Sequence, residues 1–145
     1  MRIVEINEFT QETLEVIRYL ISLLTSEPIH FSETEFNELL SSDNSHLFFL
    51  LENDNVAGML TVGLYKSPTG SKAWIEDVVV ETAYRGKGYG RMLTQHAIDF
   101  AKSKHTDLIL LTSNSSRIAA NKLYQTIGFE RKETNMYRMR IDFKK

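Results

Sequence analysis

Arg85-Gly86-Lys87-Gly88-Tyr89-Gly90-Arg91 alternates glycines with cations and an aromatic residue. Before it stands a strand-like run, Trp74-Ile75-Glu76-Asp77-Val78-Val79-Val80, and after it a helix-like run from Met92 to Ala101. A glycine-rich turn opening a helix presents unpaired N–H groups at the positive end of the helix dipole, which suits phosphate. Arg85, Lys87 and Arg91 add mobile positive charge. Two familiar phosphate loops fail on spacing. The nucleotide loop G-x-x-x-x-G-K-[ST] needs a Lys followed by Ser or Thr, whereas Gly86 is followed five positions on by Arg91 and then Met92. The dinucleotide fingerprint G-x-G-x-x-G fails because the glycines fall at 86, 88 and 90, with Arg91 in the last place.

Other reactive groups are sparse. There is no cysteine, which excludes disulfides, thiolate metal sites and cysteine nucleophiles. His30, His46, His96 and His105 lack ligand-like spacing, so no metal site is expected. A net charge of −2 argues against nucleic-acid binding as the main activity. No apolar run approaches membrane-spanning length and the first residues lack a signal-peptide pattern, so a soluble cytoplasmic protein is expected.

The elements that must position the loop follow from periodicity. With 145 residues, 42% apolar and 25% charged, the chain suits one domain over 1–145. Residues 2–6 read as a strand. Thr10 caps a helix through Leu14, Ile17, Leu20 and Leu24, and Ser32-Glu33-Thr34-Glu35 is a capping box before Phe36, Leu39 and Leu40. The strands at 46–51 and 56–64 join through a hairpin turn at Asn53-Asp54-Asn55. Residues 65–72 read as a polar loop before the strand at 74–80. The helix after the glycine loop runs to about Lys104, and 108–112 is apolar enough for a sheet interior. Ser115 or Ser116 caps a helix that Gly128 stops, and 129–141 returns as a last β segment. The order β-α-α-β-β-β-α-β-α-β predicts a single α/β domain, a mixed sheet flanked by helices.

Three segments together resemble the GCN5-related N-acetyltransferases: Glu76 to Val80, Tyr84 to Leu93, and Ala120-Asn121-Lys122-Leu123-Tyr124-Gln125-Thr126-Ile127-Gly128-Phe129. The family's pyrophosphate motif Q/R-x-x-G-x-G/A is matched at Arg85, Gly88 and Gly90. Its second marker, A-x-x-L-Y-x-x-x-G-F, is matched without a gap from Ala120 to Phe129. The resemblance is close over about residues 73–130, and the first half follows it only in the order of elements.

The resemblance implies acetyl-CoA as donor and a primary amine as acceptor. The amides of Arg85, Gly86, Lys87, Gly88, Tyr89, Gly90 and Arg91 would hold the pyrophosphate. The main chain of Val78, Val79 and Val80 would pair with the pantetheine arm like an added strand, and an amide near Val78 would polarise the thioester carbonyl. Glu76 is the candidate base, on a face shared with Val78 and Val80 by strand alternation, while Asp77 points the other way. Tyr124 resembles the family tyrosine that returns a proton to the departing thiolate.

Many members carry Asn three residues before the motif alanine; here that position is Arg117, so Asn114 or Asn121 would replace its pantetheine contact. Arg117 reads either as a contact to phosphate or to an acidic acceptor, or as a solvated residue at a helix start. Acceptor pockets in the family come from variable segments, here roughly 24–35, 65–73 and 130–137, which include His30, Tyr65 and Tyr137, with Trp74 alongside. Homodimers are frequent in the family. The acceptor reads as a small-molecule amine, with a protein lysine or N-terminus as the alternative. A silent acyl-CoA sensor is a reading from another class.

Overall fold

Short polar side chains open the first two helices. In the computed structural model, which describes residues 1–142, Thr10 Oγ1 accepts from the Thr13 N–H at 3.0 Å, and α1 runs Gln11–Leu24. Ser32 and Glu35 form the reciprocal capping box their spacing predicts, and α2 runs Glu33–Ser41. Each helix turns an apolar stripe inward: Leu14, Ile17 and Leu20 from α1, Phe36 from α2.

Residues 1–112 form one compact unit, and residues 113–142 belong to another. In the first unit five strands lie side by side in sequence order: β1 (Arg2–Glu5), β2 (Ser45–Glu52), β3 (Asn55–Ser67), β4 (Gly70–Val80) and β5 (Leu108–Leu110). The first four are antiparallel neighbours, and β5 joins β4 in parallel. The expected β2–β3 turn forms, with Asn53 and Asp54 at φ of 50° and 67°. Paired positive φ values match the twist of a tight hairpin, and these two residue types tolerate them.

Cross-strand register sorts the side chains into two faces. Leu47, Phe49, Met59 and Val79 share one face and form the main core with α1 and α2. Phe48, Leu50, Leu60 and Val62 occupy the other, which α3 (Tyr89–Ser103) covers through Leu93, His96 and Phe100. Each fully buried Leu or Phe in these layers contributes about 1.5–3 kcal/mol relative to exposure. Gly58 sits under α3 without room for a side chain: a Cβ there would lie 2.8 Å from the Val79 carbonyl oxygen and 3.0 Å from Leu93 Cδ1.

Several boundaries differ from the sequence reading. Residues 65–72 are not a loop but the end of a long β3–β4 hairpin, with Tyr65 opposite Lys72 and Ser67 opposite Gly70. This ribbon extends past the main core, so polar residues suit it without ending the backbone pairing. β5 spans three residues rather than five and lies at the sheet edge, leaving Leu108 48% exposed.

In the second unit α4 runs Ile118–Ile127 and ends at Gly128, whose φ of 127° suits glycine. Neither Ser115 nor Ser116 caps it; Arg117 holds that position without a side-chain cap. The Ser116 N–H and hydroxyl both donate to Asn114 Oδ1, at 2.9 and 2.8 Å, so the serine serves the turn before the helix. Residues 129–142 form no strand. Alternation is present, but Met136, Tyr137, Met139 and Ile141 are all exposed, and alternation without a paired ladder does not make a sheet strand.

Candidate active site

One extra residue in β4 decides how the site is built. Glu76 pairs with Thr61 and Val79 with Met59, so Asp77 and Val78 together oppose the single Leu60. Asp77 takes φ of 53°, the left-handed region that Asp tolerates better than most residues. The bulge shifts the side-chain phase. Glu76 therefore shares a face with Trp74 and Val79, on the α1/α2 side, rather than with Val78 and Val80 as simple alternation predicts.

The two edges of β4 are used differently. One pairs with β3 from Gly70 to Val80, while the other pairs with β5 only from Lys72 to Trp74. From Ile75 to Val80 that outer edge has no strand partner among the described residues. An edge of this kind is a template for an extended, amide-bearing ligand, and Val78, Val79 and Val80 lie along it.

Both acidic side chains at the bulge reach solvent, yet the protein around them still costs their charged forms hydration. Burial pushes the Glu76 carboxyl up from 4.5, and the neighbouring Asp77 charge adds to the shift. Burial alone pushes Asp77 up from 3.8. Neither forms an ion pair among the described residues.

Beyond β4 the chain folds back on itself. Glu81 accepts the Ala83 N–H at 2.6 Å and the Tyr19 hydroxyl at 2.7 Å, tying α1 to a short 3₁₀ turn at Thr82–Tyr84. Arg85 Nε donates to the Val80 carbonyl at 3.2 Å. Gly86 and Gly88 both take φ of 81°, and a Cβ at either would meet nothing within 4 Å. Backbone conformation, not crowding by the protein, therefore requires glycine here, and the space before the loop is open.

The first helical bond runs from the Met92 N–H to the Gly88 carbonyl at 3.1 Å. Among the described residues the N–H groups from Gly86 through Arg91 have no protein acceptor. They gather at the positive end of α3, an arrangement that fits an anion such as pyrophosphate.

The cations are less mobile than the sequence predicts. Lys87 Nζ lies 3.5 Å from Glu52 Oε2 and 5.4 Å from the centre of the Tyr84 ring, and Arg85 is held by Val80. Arg91 is exposed. The sequence does not single out Glu52, which shapes this loop. Its other oxygen accepts the hydroxyl of Tyr89, which is 5% exposed, and the Tyr84 and Tyr89 rings stack at 6.3 Å. That bond pushes the Tyr89 hydroxyl up to about 12 and holds Glu52 below the usual range, with Lys87 adding to the second effect. The only local signal for Glu52 was a carboxylate just before a hairpin turn.

The structure brings two of the aromatic acceptor candidates together. Trp74 Nε1 donates to the Tyr65 hydroxyl at 3.3 Å, and register puts both on the Glu76 face. His30 is an exposed residue of the α1–α2 connection. His46 is held by Glu5 at 2.7 Å and by the Phe100 ring, and His96 packs against Phe48, so both serve the α3 side of the sheet.

In the second unit, Asn114 and Asn121 meet. Asn121 Nδ2 donates to the Asn114 and Arg117 carbonyls at 2.9 and 2.8 Å, which commits its amide nitrogen to the turn before α4. Tyr124 is 7% exposed and packs its ring against Phe129. Burial raises its hydroxyl pKa, against a smaller lowering by Arg117. Tyr137 is exposed. Ser113 Oγ is buried without a hydrogen-bond partner among the described residues.

No helix among the described residues is long and apolar enough to cross a membrane. Several known proteins are similar to this chain. Mycothiol acetyltransferase of Renibacterium salmoninarum is 35% identical over 82 residues, covering 55% of this chain and 24% of that protein. The match therefore spans about a quarter of that relative's length. A transcriptional regulator from Bacillus halodurans superposes with a TM-score of 0.83 at 26% identity, over 97% of this chain and 99% of that one. Glucosamine-6-phosphate N-acetyltransferase from Arabidopsis thaliana gives 0.78 at 21% identity, over 96% and 99%. The model of the acetyltransferase (GNAT) family matches residues 13–129, which include β4, the glycine loop and α4. The chain belongs to the acetyltransferase (GNAT) family.

Proposed function

We propose that this chain transfers the acetyl group of acetyl-CoA to a primary amine of a small molecule. The observation that carries this reading is the run of unaccepted N–H groups from Gly86 to Arg91, next to the unpaired outer edge of β4. In that role the loop takes the pyrophosphate, and the edge at Val78 to Val80 takes the pantetheine amides. Asn121 keeps only its amide oxygen for such a contact, because its nitrogen is engaged.

Acetyl-CoA supplies an acetyl group already activated as a thioester. The chain must remove a proton from the acceptor's ammonium group. With an amine pKa of roughly 10.4, reaching the neutral form at pH 7 costs about 4–5 kcal/mol. Glu76 takes that proton, directly or through water, and its upward shift makes it a stronger base than an ordinary glutamate. An N–H near Val78 polarises the carbonyl under attack. Tyr124 returns a proton to the departing thiolate; burial keeps its hydroxyl neutral and available as that acid.

Similarity to a protein named for mycothiol acetylation supports a small-molecule acceptor, and similarity to N-alpha-acetyltransferases keeps a protein N-terminus as the alternative. A second reading, a silent acyl-CoA sensor, is favoured by the structural likeness to the Bacillus halodurans regulator. Calorimetric titration with CoA, paired with a thiol-release assay across a panel of amines, separates the two. Amine-dependent thiol release supports the enzyme. Tight binding with no release on any amine supports the sensor.

A further inference from the structure

We infer that Glu52 is the positioning residue of the glycine loop, acting through Tyr89 and Lys87 on how the loop receives the donor's pyrophosphate. The inference rests on the acetyl-CoA reading above. Glu52 ends β2, where its pairing with Asn55 across the tight turn fixes its backbone. Its two oxygens divide their work: Oε1 accepts the Tyr89 hydroxyl, and Oε2 lies 3.5 Å from Lys87 Nζ. Tyr89 and Lys87 flank Gly88, the left-handed residue from which α3 starts. One carboxylate therefore grips the chain on both sides of its most permissive point.

Tyr84 completes the arrangement, stacked on Tyr89 and lying under the Lys87 ammonium. The glycines at 86 and 88 leave the loop many conformations, and only some converge their N–H groups on one anion. Tethering Tyr89 and Lys87 selects among them before the ligand arrives, which lowers the ordering cost of binding. A carboxylate beside a phosphate site opposes the ligand's charge, so its presence is accounted for by geometry rather than by attraction.

The test compares kcat/KM for acetyl-CoA with that for acetyl-pantetheine, which has the thioester and the arm but no pyrophosphate. Glu52→Ala should lower the acetyl-CoA value about tenfold, chiefly through KM, as expected for losing a charge-assisted bond. The acetyl-pantetheine value should stay within about twofold. Glu52→Gln, whose amide oxygen still accepts from Tyr89, should retain most of the acetyl-CoA activity. Tyr89→Phe, which leaves the Lys87 contact in place, should lower the acetyl-CoA value by no more than Glu52→Ala, and the double variant should match Glu52→Ala, because the tyrosine acts through that carboxylate. An equal loss with both donors, or a loss with neither, would overturn the positioning role. A wild-type protein with no preference for acetyl-CoA over acetyl-pantetheine would overturn the pyrophosphate reading itself.

Discussion

Glu76 and Asp77 are adjacent carboxylates at a bulge, and burial raises the pKa of both, with no ion-pair partner among the described residues. For Glu76 as base, activity requires the ionised form, so rate falls as pH drops through its raised pKa. The acid limb of kcat/KM should therefore titrate above 4.5, the ordinary glutamate value. Glu76→Gln should abolish that limb and lower the rate by about 10²–10⁴; an unchanged profile would remove it as the base. Asp77 has the opposite use for its charge. A carboxyl raised on folding contributes stability below its unfolded value of 3.8 and loses it as pH rises through the folded pKa. Asp77→Asn has no such loss and also tolerates a φ of 53°. It should melt higher than wild type at neutral pH, with the difference vanishing in acid. Its missing charge should also move the Glu76 acid limb downward.

At the scale of elements, the bulge and the close approach of α3 set where Glu76 and the loop lie. Gly58→Ala would press a methyl group against the Val79 carbonyl, part of the backbone of β4 itself, and against Leu93. Denaturant unfolding should show a loss of about 1–3 kcal/mol, as for other overpacked sites. Helix starts and the hairpin turn were legible because Thr10, Ser32 with Glu35, and Asn53-Asp54 act on backbone groups within a few residues. The bulge was not legible, since an extra residue in β4 is defined only against its partner β3. The same limit explains 65–72, where polarity suggested a loop although the backbone was paired. It explains 129–141 in reverse, where alternation suggested a strand that has no ladder.

For the whole molecule, the chain's net charge is −2, so attraction for a polyanionic donor has to come from local geometry rather than from a basic surface. The turn at 86–88 was legible from glycine spacing, because Gly86 and Gly88 both take a φ of 81° that side chains rarely adopt. Glu52 was not, because it lies 37 residues before Tyr89 and nothing in either segment specifies the other. The most direct test uses acetyl-CoA labelled in the acetyl group, incubated with the protein and the amine panel, followed by mass analysis of the amines. The account predicts label in an amide of at least one amine, and its loss in Glu76→Gln. Label remaining on the thioester, or appearing only as free acetate, would contradict it.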